Sequence, residues 1–467
     1  MQPIEIRRAR VLIAVASLAI VAFAYVGSRA SAIGETGAQI DGGGTQERSP
    51  AAKEAEAAIA RTDLAARMEG ALGDSFAGVW FEPATAQLHV GVTSTVSREL
   101  AESVAVQAGL AGVVAETSVG STWNELGAVR DSWAHWLVER VPSGPIGIAL
   151  LAEGNSVKVE LGSQVPAPLR AKLEREAAAA PVDVSLSFVS SESSHITPYK
   201  RCATFVELKA YCNPTIVSGV SINNEQKFEG KGNCTAGTPV IRKNPKTEAE
   251  ATETFLLTAG HCIVGEGAVG KKWFAYETNG TREEIGKAEA TLSYPGSTID
   301  AGLIKIVGKP WAEPASKTPV KPVIADWKKT EENEPFELIE ENVPVEKMLV
   351  CYSGQRTGTQ CGEIKEAEKL EIVKNEEGKV EVEWSHASVV ELEGGKKAAQ
   401  GDSGGPFFEK QPYVNEFTGY VLGTLVGGTA PGEANKVIFQ RLTVQLAGLA
   451  EKGFSFELLT PANETRP

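Results

Sequence analysis

All six cysteines of this 467-residue chain lie beyond position 200: Cys202, Cys212, Cys234, Cys262, Cys351 and Cys361. The change in cysteine use coincides with a change in the kind of sequence. Before residue 190, runs with helical spacing alternate with short apolar runs. After Cys202, short apolar runs are separated by Gly, Pro and Asn turns, and one helical stretch near residues 441–452 closes the pattern. Such runs bury one face of a sheet, so the second part is expected to be an all-β sandwich or barrel. Two different folding units are expected, and the length accommodates them.

The N-terminus sets the compartment. Arg7, Arg8 and Arg10 precede an apolar run over residues 11–26, and Ala30-Ser31-Ala32 follows with a small-x-small pattern. This is the layout of a cleaved secretory signal over residues 1–32, which makes the protein secreted. A retained anchor through residues 11–27 is the alternative, because the run approaches the length that spans a bilayer. No other stretch is long and apolar enough, so no stable membrane partner is expected. Export places an even number of cysteines in an oxidising environment. Six cysteines allow fifteen pairings. Sequence neighbours favour Cys202–Cys212 and Cys351–Cys361, which leaves Cys234–Cys262. The cysteines are dispersed and no C-x-x-C pair occurs, so no metal or other cofactor is expected. A net charge of −14 argues against a general affinity for nucleic acid.

Residues 33–70 read as a polar leader followed by a helical segment. Within residues 71–200 a pattern occurs twice. Strands at 76–81 and 88–92 flank the turn Glu82-Pro83-Ala84-Thr85, and a helix at 97–108 and a strand at 112–117 follow. Strands at 146–151 and 157–161 flank Glu153-Gly154-Asn155, and a helix at 168–180 and a strand at 182–188 follow. Two related α+β units are expected. Between them an amphipathic helix at 122–141 carries Trp123, Trp133 and Trp136, read as core packing. His89 and His135 are isolated, and nothing here forms a catalytic cluster. Residues 201–467 form the all-β domain. Its Lys- and Glu-rich inserts at 243–253 and 328–341 read as solvated loops.

Three motifs in the β domain supply the parts that a serine needs to attack an amide. An apolar strand, Phe255-Leu256-Leu257-Thr258, runs into Ala259-Gly260-His261-Cys262, and its small-residue turn presents His261 as a general base. Asp300 opens the alternating strand Ala301-Gly302-Leu303-Ile304-Lys305-Ile306, where a carboxylate can be held rigidly. In Gly401-Asp402-Ser403-Gly404-Gly405-Pro406, glycines on both sides of Ser403 permit a sharp turn that aims the N–H groups of Gly401 and Ser403 at one point. Asp402 is too close in sequence to Ser403 to orient His261 and is read as structural. His386 sits in a polar segment without a turn signature and is set aside as a base.

Together TAGHC at 258–262, DAGLIKI at 300–306 and GDSGGP at 401–406 resemble the chymotrypsin-like serine endopeptidases, bacterial secreted branch, of the streptogrisin and α-lytic protease type. CYSGQRTGTQCG at 351–362 looks like that branch's disulfide hairpin, and VIFQRLTVQLAGL at 437–449 resembles its terminal helix. LGTLVGGT at 422–429 looks like the strand that binds the substrate backbone, which assigns Val426, Gly427 and Gly428 to substrate binding. FAGVWFEPATAQLHVGVT at 76–93 resembles the branch's propeptide. The resemblance implies two six-stranded antiparallel β-barrels with a C-terminal helix, preceded by an α+β propeptide. It implies a catalytic His261, Asp300 and Ser403, with Gly401 and Ser403 as oxyanion donors. The expected partners are protein or peptide substrates and the chain's own propeptide, with the protein acting as a monomer. The sequence departs from many relatives in lacking a cysteine near Ser403, which leaves the pocket without a common brace. No His follows His386, which argues against a glutamate preference, and Lys397 is read as facing solvent. The alternative is a catalytically silent, protease-like binding protein. An esterase with Ser ahead of His on a G-x-S-x-G elbow does not fit this order.

Overall fold

Each α+β unit is built from local signals that the chain supplies twice. The computed structural model describes residues 64–110, 113–117, 119–189, 216–224, 234–263, 267–276, 282–293, 295–307, 320–324, 336–375, 377–410, 418–428, 435–461 and 463. The signal segment, the leader, Cys202 and Cys212 lie outside them. Among the described residues no helix is long and apolar enough to cross a membrane. After helix α1 (Leu64–Leu72), the first unit runs β1 (Phe76–Glu82), β2 (Gln87–Val92), α2 (Thr95–Gln107) and β3 (Val113–Glu116). Helix α3 (Trp123–Arg140) leads to the second unit: β4 (Gly144–Leu151), β5 (Ser156–Gly162), α4 (Ala167–Ala178) and β6 (Asp183–Val189). In both units the hairpin is antiparallel and the last strand adds in parallel. Ser94 caps α2 by accepting from the Ser97 N–H, and Thr122 and Glu125 form a reciprocal capping box on α3. The three tryptophans of α3, read from the sequence as core packing, are half-buried and pack against the rim of apolar clusters. Gly78, at φ +108°, makes room for Trp123, whose ring lies 2.8 Å from where a Cβ would stand.

The remainder is almost entirely strand. It comprises β7 (Ile216–Ser218), β8 (Ser221–Asn224), β9 (Cys234–Thr235), β10 (Pro239–Arg242), the short helix α5 (Glu248–Ala251), β11 (Thr254–Thr258), β12 (Lys272–Tyr276), β13 (Arg282–Leu292) and β14 (Ala301–Ile306). There follow β15 (Val320–Ile324), β16 (Phe336–Glu341), β17 (Leu349–Gly354), β18 (Gly358–Lys374), β19 (Val380–Leu392), β20 (Pro406–Lys410), β21 (Thr418–Gly428), β22 (Lys436–Arg441), helix α6 (Leu442–Glu451) and β23 (Phe456–Leu458). The first barrel-like sheet has the order β23-β10-β11-β14-β13-β12-β8-β9. In the second, β17, β18, β19, β22, β21 and β20 pair in a ring, because β20 returns to β17. This closed six-stranded barrel leaves its own strands no free edge along that ring. Two apolar clusters cross between the sheets. One joins Leu256 and Ile304 to Val389, Val426 and Ile438, and the other joins Phe255 and Leu303 to Phe408, Val421 and Leu442. The expected double-barrel architecture with a terminal helix is therefore present.

The sequence did not reveal how far the β18–β19 hairpin reaches. Beyond the barrel, Glu368–Lys374 of β18 pairs antiparallel with Gly144–Leu150 of β4, so that the second α+β unit and the second barrel share one twelve-stranded sheet. All described residues accordingly fall in one compact unit, Thr45–Pro467. The edge of β4 would otherwise present unpaired backbone groups, and β18 covers it.

This junction buries charge. Lys369 of β18 is 3% exposed and contacts Glu160 at 2.9 Å, Glu366 at 3.2 Å and Glu371 at 3.2 Å. Glu368 meets Arg130 at 2.7 Å, His386 at 2.8 Å and Arg441 at 2.9 Å. Burial alone would push the Glu160 and Glu368 carboxyls up. The cations outweigh it, Lys369 and Lys158 for Glu160 and chiefly Arg441 for Glu368, and hold both at about 2. Glu346 behaves oppositely. Its Oε1 accepts from the Ala152 N–H at 3.2 Å and its carbonyl from the Phe81 N–H at 3.1 Å. No cation compensates its burial, which pushes its carboxyl up to about 8.

The two kinds of carboxyl bracket the pH range in which the junction is strongest. Depressed groups contribute above the usual carboxylate range, and that contribution is lost as pH falls toward about 2. The raised Glu346 contributes below the usual range, and that contribution is lost as pH rises through about 8. Glu346→Gln mimics the neutral carboxyl and keeps its acceptor oxygen. It is expected to raise the urea midpoint of the full-length chain at about pH 9 and leave it nearly unchanged at about pH 5. An equal shift at both pH values would contradict the assignment.

Candidate active site

Strand register brings His261 and Asp300 together. β11 and β14 are antiparallel neighbours with Thr258 opposite Gly302, so the turn that follows one strand meets the segment that precedes the other. His261 lies in a single 3-10 turn, Gly260–Cys262. Gly260 is required there, because a Cβ would collide with the Leu292 carbonyl and crowd the Asp300 carboxylate. His261 Nδ1 stands 2.7 Å from Asp300 Oδ2, and the His261 backbone N–H donates to Asp300 Oδ1 at 2.7 Å. Asp300 is 1% exposed, whereas 39% of the His261 side chain is exposed. With Nδ1 on the carboxylate, Nε2 lies on the far side of the ring.

The Ser403 loop is attached to both barrels. The Thr235 N–H donates to the Ser403 carbonyl at 2.8 Å, and Thr235 Oγ1 donates to the Gly401 carbonyl at 2.8 Å. On the other side the Gly404 N–H donates to the Leu425 carbonyl, and the Leu425 N–H to the Gly405 carbonyl, both at 2.8 Å. Gly404, at φ +92°, fits because a Cβ would strike Thr258 Oγ1 and the Thr235 carbonyl. Asp402 faces away from His261. Its Oδ1 accepts from the N–H groups of Arg356 at 2.7 Å and Thr357 at 3.1 Å, and its Oδ2 from Thr357 Oγ1 at 2.7 Å and the Ala399 N–H at 2.8 Å. It fastens the loop to the β17–β18 turn, the structural part read from the sequence.

The N–H groups of Gly401, at φ +105°, and Ser403 donate to no described residue. Ser403 Oγ likewise makes no hydrogen bond among the described residues. The structure thus joins His261 to Asp300 directly, and the Ser403 carbonyl meets the Thr235 N–H and, beside His261, Cys262 Sγ. Cys262 Sγ lies 3.9 Å from the Ser403 carbonyl oxygen, and Cys262 is bonded to Cys234. This disulfide therefore borders both His261 and Thr235. Cys351–Cys361 bridges directly opposed residues of β17 and β18.

On β21, Val426 is buried, and Gly427 and Gly428 lie nearer the surface. Trp384 of β19 lies over Gly427, where a Cβ would be 2.5 Å from its ring. His386 is engaged with Glu368, and Lys397 is exposed. Among the described residues no cluster of His, Cys, Asp and Glu could hold a metal ion. Several residues around the site were not found from the sequence: Thr235, Trp384, Gln440 and Gln445. Gln440 Oε1 accepts from the Asp300 N–H at 2.7 Å, and Gln445 Nε2 donates to the Asp300 carbonyl at 2.7 Å. The one available signal was a glutamine inside the apolar run Val437-Ile438-Phe439-Gln440.

The Cys234–Cys262 bridge closes a loop with a sequence separation of 28. Replacing both cysteines by serine is expected to cost roughly 3–4 kcal/mol in urea unfolding under non-reducing conditions. A loss well below about 1 kcal/mol would show that the His261 turn is held without it.

Residues 251–447 match the trypsin family, and residues 48–113 match the alpha-lytic protease pro N-terminal family. Among solved structures the chain is similar to Thermobifida fusca Protease A, with 20% identity over 53% of this chain and 99% of that one and a TM-score of 0.36. It is similar to the Nocardiopsis protease, with 19% identity over 53% and 100% of the two chains and a TM-score of 0.36. It is also similar to Cellulomonas bogoriensis chymotrypsin, with 16% identity over 53% and 99% and a TM-score of 0.35. No curated protein matches in sequence. The chain carries a trypsin-family domain behind an alpha-lytic protease pro N-terminal domain.

Proposed function

We propose that this protein is a secreted serine endopeptidase, made as a zymogen and cut between about residues 188 and 202. Residues 1–32 act as the signal, 33–70 as a leader, 71–200 as the propeptide and 201–467 as the catalytic domain. One observation carries the catalytic reading: the buried Asp300 carboxylate takes hydrogen bonds from the His261 ring and backbone, beside a loop with two unused N–H donors at Ser403.

In this mechanism His261 Nε2 takes the proton of Ser403 Oγ as the oxygen attacks the scissile carbonyl carbon. Asp300 fixes the ring's tautomer and stabilises the imidazolium that forms. The tetrahedral oxyanion is met by the N–H groups of Gly401 and Ser403. The imidazolium then gives its proton to the leaving amine, and the acyl-enzyme remains. Water, deprotonated by His261, hydrolyses that ester and regenerates Ser403. Val426, Gly427 and Gly428 present backbone to an extended substrate, with Trp384 flanking the Gly427 position.

Ser403→Ala is expected to keep the fold and to remove most of the activity, leaving only the binding and oxyanion contributions, on the order of 10³–10⁴ over water. His261→Ala should be about as damaging, and the double variant little worse than either, because the two act as one unit. Peptide hydrolysis and labelling by a fluorophosphonate probe measure this. Near-normal hydrolysis by Ser403→Ala, or no labelling of the matured wild-type protein, would leave a silent binding protein as the better reading.

The propeptide is assigned a part in folding. A double barrel rests on long-range pairings that form slowly, and β4 supplies a ready edge for β18. Residues 202–467 refolded alone should remain inactive or aggregate. Adding residues 33–200 as a separate chain should restore activity after that segment is degraded. Efficient refolding without it would remove the folding role.

A further inference from the structure

Asp300 lies just ahead of β14, outside the strand, so the sheet ladder does not hold its own peptide groups. Both described hydrogen bonds of its carboxylate come from His261 itself. No third described residue orients the carboxylate from the side, so its aim depends on where the Asp300 backbone is placed. Two fully buried glutamines place it. Gln440 on β22 accepts the Asp300 N–H with Oε1, and its Nε2 donates to the carbonyls of Thr298 at 3.0 Å and Ser385 at 2.7 Å. Gln445 on α6 donates to the Asp300 carbonyl, and its Oε1 accepts from Thr424 Oγ1 at 2.8 Å. Ser385 adds its own N–H to the Thr298 carbonyl at 3.0 Å.

We propose that Gln440 and Gln445 are positioning residues for catalysis, a clamp on the two sides of Asp300 that sets the direction of its carboxylate toward His261. This rests on the triad reading above. Only an amide can fill Gln440's place, since one end must accept an N–H while the other donates to two carbonyls. The clamp joins parts distant in sequence: β22 and α6 grip a segment of the first barrel, and Ser385 ties in β19, the partner of the strand that pairs with the propeptide sheet. A bland role in satisfying buried groups would affect how much protein folds. A positioning role affects how fast each folded site turns over.

The test uses the full-length chain, expressed and matured, with active sites counted by fluorophosphonate labelling. Gln440→Met, close in size but without the amide, is expected to lower kcat per labelled site about 10–100-fold, as small misplacements in an active site do. KM should move less than about threefold, since substrate contacts are untouched. The acidic limb of the pH–rate profile should move to lower pH, because a mis-aimed carboxylate stabilises the imidazolium less. Gln445→Met tests the other side and covers the case in which Gln440→Met does not fold. Unchanged kcat per site and an unchanged pH profile in whichever variants fold would overturn the clamp. Failure of wild-type protein to label at Ser403 would instead overturn the triad reading.

Discussion

The site depends on a carboxylate kept almost free of water. Asp300 is 1% exposed, and a buried carboxylate is costly unless hydrogen bonds surround it. His261 supplies two of these bonds from one turn, through its ring and its backbone N–H. That arrangement requires the turn to approach the Asp300 segment so closely that residue 260 must lack a side chain. The approach in turn requires β11 and β14 to be neighbours in a fixed register, since a one-residue slip would exchange inward and outward faces.

The same economy of contact governs the Ser403 loop. Thr235 and Leu425 hold it from opposite barrels, and Asp402 fastens it to the β17–β18 turn. Backbone groups that would be lost to internal bonds in an ordinary loop are left at Gly401 and Ser403. The loop's positive φ angles at Gly401 and Gly404 permit that geometry without a Cβ penalty.

A second dependency runs through β18. One strand is shared between the closed barrel and the sheet of the N-terminal region, with Lys369 and Glu368 at the centre of two buried charge clusters. Removing one partner of such a cluster leaves the others charged in a poorly solvated place, which is costly. Separating the N-terminal region would return those charges to water and open the β18 edge that now pairs with β4.

Much of this was legible in the sequence because it is local. Turn residues and apolar periodicity marked both α+β units and the terminal helix within a few residues. Glycines around His261 and Ser403 marked the two turns, because only glycine satisfies those backbone positions. The pairing of Cys351 with Cys361 followed from their closeness in the chain. What tertiary structure alone decided is which distant groups meet. The length of β18 gave no sign that its outer half would pair with β4, because an edge strand's partner is set by shape and burial. Gln440 and Gln445 both fall in the stretch at 437–449 compared with a terminal helix, although Gln440 lies on the strand β22 and only Gln445 on α6. Only the packing of β22 and α6 against the segment before β14 turns their amides toward Asp300, since a hydrogen bond between residues some 140 positions apart leaves no trace in either neighbourhood.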